Sequence, residues 1–179
     1  MYSWFLYFWL NQNQNMGYLI GLGVLAILVI WGILIYNSLI NKKNGVEYAF
    51  SSIDVMLKKR RDLIPNLISA VKEYMQHERE LLTKVTELRS QVIKAEESGS
   101  DKERFDLENK LSGLLGQIQV AVEAYPDLKA NENFLQLQAS LNEVEEQISA
   151  SRRAFNAAVY DYNNAIEMFP SNIIAGMMN

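Results

Sequence analysis

Met16-Gly-Tyr-Leu-Ile-Gly-Leu-Gly-Val-Leu-Ala-Ile-Leu-Val-Ile-Trp-Gly-Ile-Leu-Ile-Tyr36 holds no charge, no Asn or Gln and no Pro. As a helix rising ~1.5 Å per residue it covers about 30 Å, the thickness of a bilayer's hydrocarbon core. Only a helix satisfies its own backbone groups in lipid, so residues 16–37 are expected to cross as one. Tyr18 near one end, with Trp31 and Tyr36 toward the other, suit the headgroup level. A cleaved signal peptide would need a basic start, a shorter apolar core and a small-residue cleavage site; Tyr36-Asn37-Ser38-Leu39 offers none. Within the span Gly17 and Gly21 form a small-xxx-small pair that lets two helices approach closely, a motif for self-association.

The rest of the chain of 179 residues leaves room for one soluble domain. There is no cysteine, hence no disulfide framework, thiolate zinc site or thiol nucleophile. A net charge of −4 argues against nucleic acid as a partner. All 17 Lys and Arg lie beyond residue 41, and Lys42 and Lys43 follow the span directly. By the positive-inside rule the N-terminus lies outside and the domain in the cytoplasm. Residues 1–15, an aromatic leader (Tyr2, Trp4, Phe5, Tyr7, Phe8, Trp9) ending in Asn and Gln, fit two readings. They form an extra interfacial belt, or they are a remnant upstream of a natural start at Met16.

Beyond a linker at 38–45 a heptad pattern begins. Val46, Phe50, Ile53, Leu57, Ile64, Leu67, Val71, Tyr74, Leu81, Val85, Leu88 and Val92 alternate steps of four and three, with Arg60 and Glu78 the polar residues on the seam. This predicts a helix over 46–94, roughly 70 Å if straight. Pro65 lies inside it and removes the bond to the Arg61 carbonyl, so a kink or break is expected there. Gly99 reads as a helix stop and Ser100 or Asp101 as a cap for a second helix over 101–124, striped by Leu111, Leu115, Ile118, Val122 and Tyr125. After the turn at Pro126, Asn131 can cap a third helix over 131–169. Phe134, Leu137, Leu141, Val144, Ile148, Phe155, Val159, Tyr162, Ile166 and Phe169 form its seam, and Pro170 ends it. The expected fold is all-α: one transmembrane helix, then an antiparallel bundle over 46–179 of three long helices, or four if the first breaks at Pro65.

Three ordered strings resemble the LemA family of bacterial membrane proteins. They are Ala49-Phe50-Ser-Ser-Ile-Asp54-Val-Met-Leu-Lys-Lys-Arg-Arg61-Asp-Leu-Ile-Pro65-Asn-Leu, Tyr125-Pro-Asp-Leu-Lys-Ala-Asn131, and Ser151-Arg-Arg-Ala-Phe-Asn156-Ala-Ala-Val-Tyr-Asp-Tyr-Asn163 with Phe169-Pro170 after it. The resemblance implies a membrane anchor and a helical-bundle domain at the bacterial inner membrane. It brings no established activity and no catalytic residues. The aromatic leader departs from the pattern, and relatives usually carry a further tail past the position of Asn179.

No catalytic set emerges from the residues. His77 is the one histidine; with Glu73 and Glu80 it could share a helix face, yet a di-metal bundle needs Glu-x-x-His from two helices. Glu96-Glu97 and Glu145-Glu146 read as solvated faces or loop residues, and no cofactor or metal is expected. Lys58-Lys59-Arg60-Arg61 starts roughly 30 Å past the span on a straight helix, beyond a Debye length of about 8 Å. Internal pairing is therefore favoured: Asp54 reaches Lys58 and Arg61, and Asp62 adds another partner. Asn156 and Asn163 flank the third seam, and these are expected to meet the first helix near Asp54 or Asn66. Asp54, Arg60, Arg61, Asn66, Arg152, Asn156 and Asn163 thus form the expected structural polar network. The functional reading is a non-catalytic scaffold, adaptor or self-assembling bundle. Its expected partners are the lipid bilayer, further copies of itself and another membrane protein. A lipid-remodelling protein and a metal-dependent enzyme are the rivals.

Overall fold

The computed structural model describes the backbone of residues 2–178 and the side chains of residues 16–178. The expected interfacial role of the leader's aromatic rings therefore falls outside the described residues. Among the described residues six helices follow in order: α1 (Tyr2–Val71), α2 (Arg79–Glu97), α3 (Asp101–Val122), α4 (Pro126–Lys129), α5 (Glu132–Glu167) and α6 (Ser171–Met177). No strand occurs among the described residues, and the fold is all-α. The chain divides into two compact units, residues 1–48 with 155–179 and residues 49–154, so the division passes through α1 and through α5.

In the first unit α1 carries the apolar stretch. One helix of the described chain, beginning at Met16, is long and apolar enough to cross a bilayer. Its large apolar residues from Tyr18 to Trp31 are all exposed, which excludes the core helix of a soluble domain. From Gly32 onward one face is covered, and Leu39 is almost wholly buried. The helix continues through 38–45 where a linker was expected: Gly45 alone lowers propensity by only about 1 kcal/mol, too little to stop a helix.

The second unit is the bundle. Ile64, Leu67, Val71 and Met75 pack with Leu82, Val85 and Val92, with Leu107, Leu111, Ile118 and Val122, and with Leu128 and Phe134. The break expected at Pro65 does not occur; the helix expected over 46–94 is instead interrupted at residues 72–78 and forms the end of α1 and α2. Pro65 sits inside α1, and the carbonyl it deprives, that of Arg61, accepts a hydrogen bond from Arg89 Nε at 3.0 Å. A side chain from α2 replaces the missing backbone donor, and the helix need not break.

The other boundaries follow local chemistry. Gly99, with φ at +71°, closes α2 as the residue in the left-handed region. Ser100 N–H bonds Ala95 O and Gly99 N–H bonds Glu96 O, each at 3.1 Å, the paired pattern that satisfies a helix's last carbonyls. Asn131 caps α5, its Oδ1 accepting from the Phe134 N–H at 3.1 Å. Phe169, expected on the α5 seam, is 80% exposed; α5 ends at Glu167, and its helical period lapses before reaching it.

Candidate functional site

Within the bundle, charge occupies positions that hydrophobic residues would otherwise fill. Arg60, Arg61, Arg104 and Glu108 are buried, Arg60 and Glu108 almost completely. Arg60 keeps the heptad phase of Ile53, Leu57, Ile64 and Leu67, so α1 drives its guanidinium into the core. Its Nη2 donates to Glu108 Oε2 at 2.5 Å and to the Glu108 carbonyl at 3.1 Å. Its Nη1 donates to Glu145 Oε2 at 3.1 Å and to Ser112 Oγ. Glu108 Oε1 takes Arg61 Nη1 at 3.2 Å, and Arg61 Nη2 reaches Glu96 Oε2 at 2.7 Å. Glu108 is thus clamped between two arginines, one on each carboxylate oxygen.

Arg104 extends the cluster along α3. Its Nη2 stands 2.9 Å from Asp54 Oδ1 and 3.0 Å from Asp101 Oδ1, and its Nη1 lies 4.0 Å from Glu96 Oε1. The contact with Asp54 is an ion pair at an angle outside hydrogen-bond directionality. Phe105, next along α3, stacks edge-on against Phe50 with ring centroids 5.8 Å apart. Three guanidiniums are answered by Glu108 inside and by Asp54, Glu96, Asp101 and Glu145 toward the rim. Such a cluster adds little net stability compared with apolar packing of equal volume, yet removing one partner strands an unpaired buried charge.

The expected polar residues separate into two groups. Asp54, Arg60 and Arg61 meet in the cluster. Lys58 and Lys59 of the same basic run face solvent, because only the third and fourth positions of the run turn inward. Asp54 pairs with Arg104 rather than with Lys58 or Arg61, since Arg61 is drawn to Glu108 and Glu96. Arg152 bonds Asn109 Oδ1 at 3.1 Å in an exposed contact. Asn66, Asn156 and Asn163 are exposed: positions flanking a seam rather than on it are left at the surface. Around Gly17 and Gly21 a Cβ would meet nothing within 4 Å, so that face of the span is open in the single chain.

Sequence reasoning missed Arg104 and Glu108, and it missed Glu96 and Glu145 as partners. One signal could have found the first two. Stepping back from Leu111 by three and then four lands on Glu108 and Arg104, charged residues in the seam phase of the second predicted helix. Glu78, the other polar residue on the first seam, accepts from the Tyr125 hydroxyl at 2.5 Å; this hydrogen bond holds the phenol's pKa above its ordinary value. His77, Glu73 and Glu80 are exposed in and beside the turn at 72–78, and Glu80 pairs with Lys84 instead, which draws its carboxyl's pKa below the ordinary value. Among the described residues no group of three His, Cys, Asp or Glu is placed to hold a metal. Beside Arg60 lies a cavity of about 190 Å³, lined by Leu67, Leu115, Phe134 and Leu141 with Gln119 and Gln138. That is below the ~300 Å³ at which ordinary ligand pockets begin.

An exposed apolar helix joined to an ion-locked helical bundle defines a membrane-associated all-α protein. The family model for the LemA family matches residues 49–179, and the chain belongs to that family. Protein LemA of Metamycoplasma hominis is 27% identical over 139 residues, covering 78% of this chain and 63% of that protein. Magnetosome protein MamQ 2 of Paramagnetospirillum magneticum is 22% identical over 163 residues, 78% of this chain and 60% of its own. Magnetosome protein MamQ of Magnetospirillum gryphiswaldense is similar at 21% identity with the same coverage. The chain therefore spans about three-fifths of the length of the curated relatives it matches.

Proposed function

We propose that the chain is a non-catalytic scaffold or adaptor of the bacterial inner membrane that assembles with copies of itself, its bundle on the cytoplasmic side. The observation that carries this reading is the uncovered surface of α1 between Met16 and Trp31. Its large apolar side chains are exposed among the described residues, and its Gly17–Gly21 face is open to close approach. The ionisable groups inside the bundle are engaged with one another, which suits a part that holds shape and presents surfaces. Lys42 and Lys43 after the span support the cytoplasmic orientation. Anchoring raises local concentration, so contacts too weak for solution become effective.

Crosslinking in intact membranes followed by mass spectrometry tests the reading. Dominant self-crosslinks support assembly, and one abundant foreign protein supports an adaptor. Protease that digests residues beyond 45 in sealed right-side-out cells would overturn the cytoplasmic placement.

A further inference from the structure

We propose that α6, with Met168 and Phe169 before it, is a second membrane-contacting element, seated at the level of the headgroups and first acyl carbons beside the span. Within the first unit α6 packs on α1 at a height the span itself defines. Ile174 and Met177 line a cleft with Val29, Gly32, Tyr36 and Ile40 of α1. The bare face of Gly32 admits Ile174, whose Cδ1 lies 4.0 Å from where a Cβ would stand. Gly32 and Val29 precede Tyr36 by four and seven residues, placing them ~6 and ~10 Å inside the span's end. Interfacial helices rest at a depth of about 5–10 Å.

Composition agrees with position. Residues 168–179 carry no charged side chain. Met168, Phe169 and Ile173 lie outside the lining of the cleft, Met177 stands at its edge, and all four are exposed by 53–80%. The exposed Trp31, Ile33, Leu34 and Tyr36 belong to the same unit. Left in water, these side chains would make an apolar patch of a kind that soluble surfaces rarely carry. Bilayer is the occupant that covers them without another protein, and it is already required by the neighbouring stretch of α1.

The absence of cysteine makes the test direct. Single variants Ile173→Cys, Met177→Cys, Leu25→Cys and Val120→Cys, all at exposed positions, are made in the full chain and reconstituted in phosphatidylcholine–phosphatidylglycerol nanodiscs. Both membrane faces are then open to reagent. Ile173→Cys and Met177→Cys should react with a charged maleimide at least about tenfold more slowly than Val120→Cys, resembling Leu25→Cys. Spin labels there should collide readily with oxygen and poorly with a water-soluble nickel chelate. Reaction at the Val120→Cys rate would overturn the proposal. So would labels shielded from both quenchers, which would put a protein, a second copy included, over α6. Should Leu25→Cys react as fast as Val120→Cys, the span itself is outside lipid and the anchor reading falls with this one.

Discussion

The hydrogen bond from Arg89 to the Arg61 carbonyl can be weighed by a double-mutant cycle. Pro65 has no N–H, so in an undistorted α1 the Arg61 carbonyl would lack its partner. Arg89 Nε supplies it from 28 residues away, at 3.0 Å in a part-buried setting. Hydrogen bonds from charged donors contribute about 1.5–3 kcal/mol, and partial exposure lowers the expectation to about 1–2 kcal/mol. Arg89→Met keeps much of the apolar stem and removes the donor, so it should destabilise the bundle by that amount. Pro65→Ala restores a backbone N–H to the same carbonyl and should stabilise α1, by less than the ~3 kcal/mol that separates the two residues in a free helix. In the Pro65→Ala background the Arg89→Met penalty should shrink by about 1 kcal/mol. Equilibrium denaturant unfolding of the full chain in micelles, followed through the near-ultraviolet signal of the tyrosines, measures all four corners. Equal penalties in both backgrounds would mean that Arg89 acts elsewhere and that Pro65 is tolerated for another reason.

Glu108→Ala should strand Arg60 and Arg61 together and cost about 3–5 kcal/mol by the same unfolding measurement. Asn131→Ala should remove the α5 cap and cost about 1 kcal/mol, whereas Asn131→Gly should cost only a few tenths. Gly99→Ala forces a side chain into positive φ and should cost about 1–2 kcal/mol, read as an earlier thermal midpoint. The Tyr125 phenol titrates above its ordinary 10.0 because its proton is held by Glu78, so the stability from that bond is complete below the ordinary value and fades as pH climbs through the raised one. Glu78→Gln should bring the Tyr125 midpoint back down, seen by phenolate absorbance after subtracting a Tyr125→Phe control.

The long apolar helix was legible because one property, a long run without charge, decides it. The seams were legible in outline: periodicity says which face of a helix is covered. It does not say whether the chain has turned round, and Val71, Tyr74, Glu78 and Leu81 keep the same steps straight through the turn at 72–78. With no Gly or Pro at the reversal, the turn is set by tertiary packing, chiefly of Val71, Met75 and Val85, all fully buried. The rescue of Pro65 came from a residue distant in sequence, which no local rule anticipates. Arg60 could be suspected from its phase, but its partners lie on α3 and α5. Arg104 and Glu108 hid in Asp101-Lys-Glu-Arg-Phe-Asp-Leu-Glu108, where alternating charge looks like a wet surface until the seam is extended backward.

Leucine-like seams resemble a smooth rail: a helix can slide one turn along its neighbour and meet much the same grease. The clamp on Glu108 works as a detent on that rail. A slip of α3 by one turn, about 5.4 Å, would pull its carboxylate out of reach of both arginines at once. A foreign amphipathic helix offering only hydrophobic residues would take the place of α3 only by leaving two buried cations without Glu108.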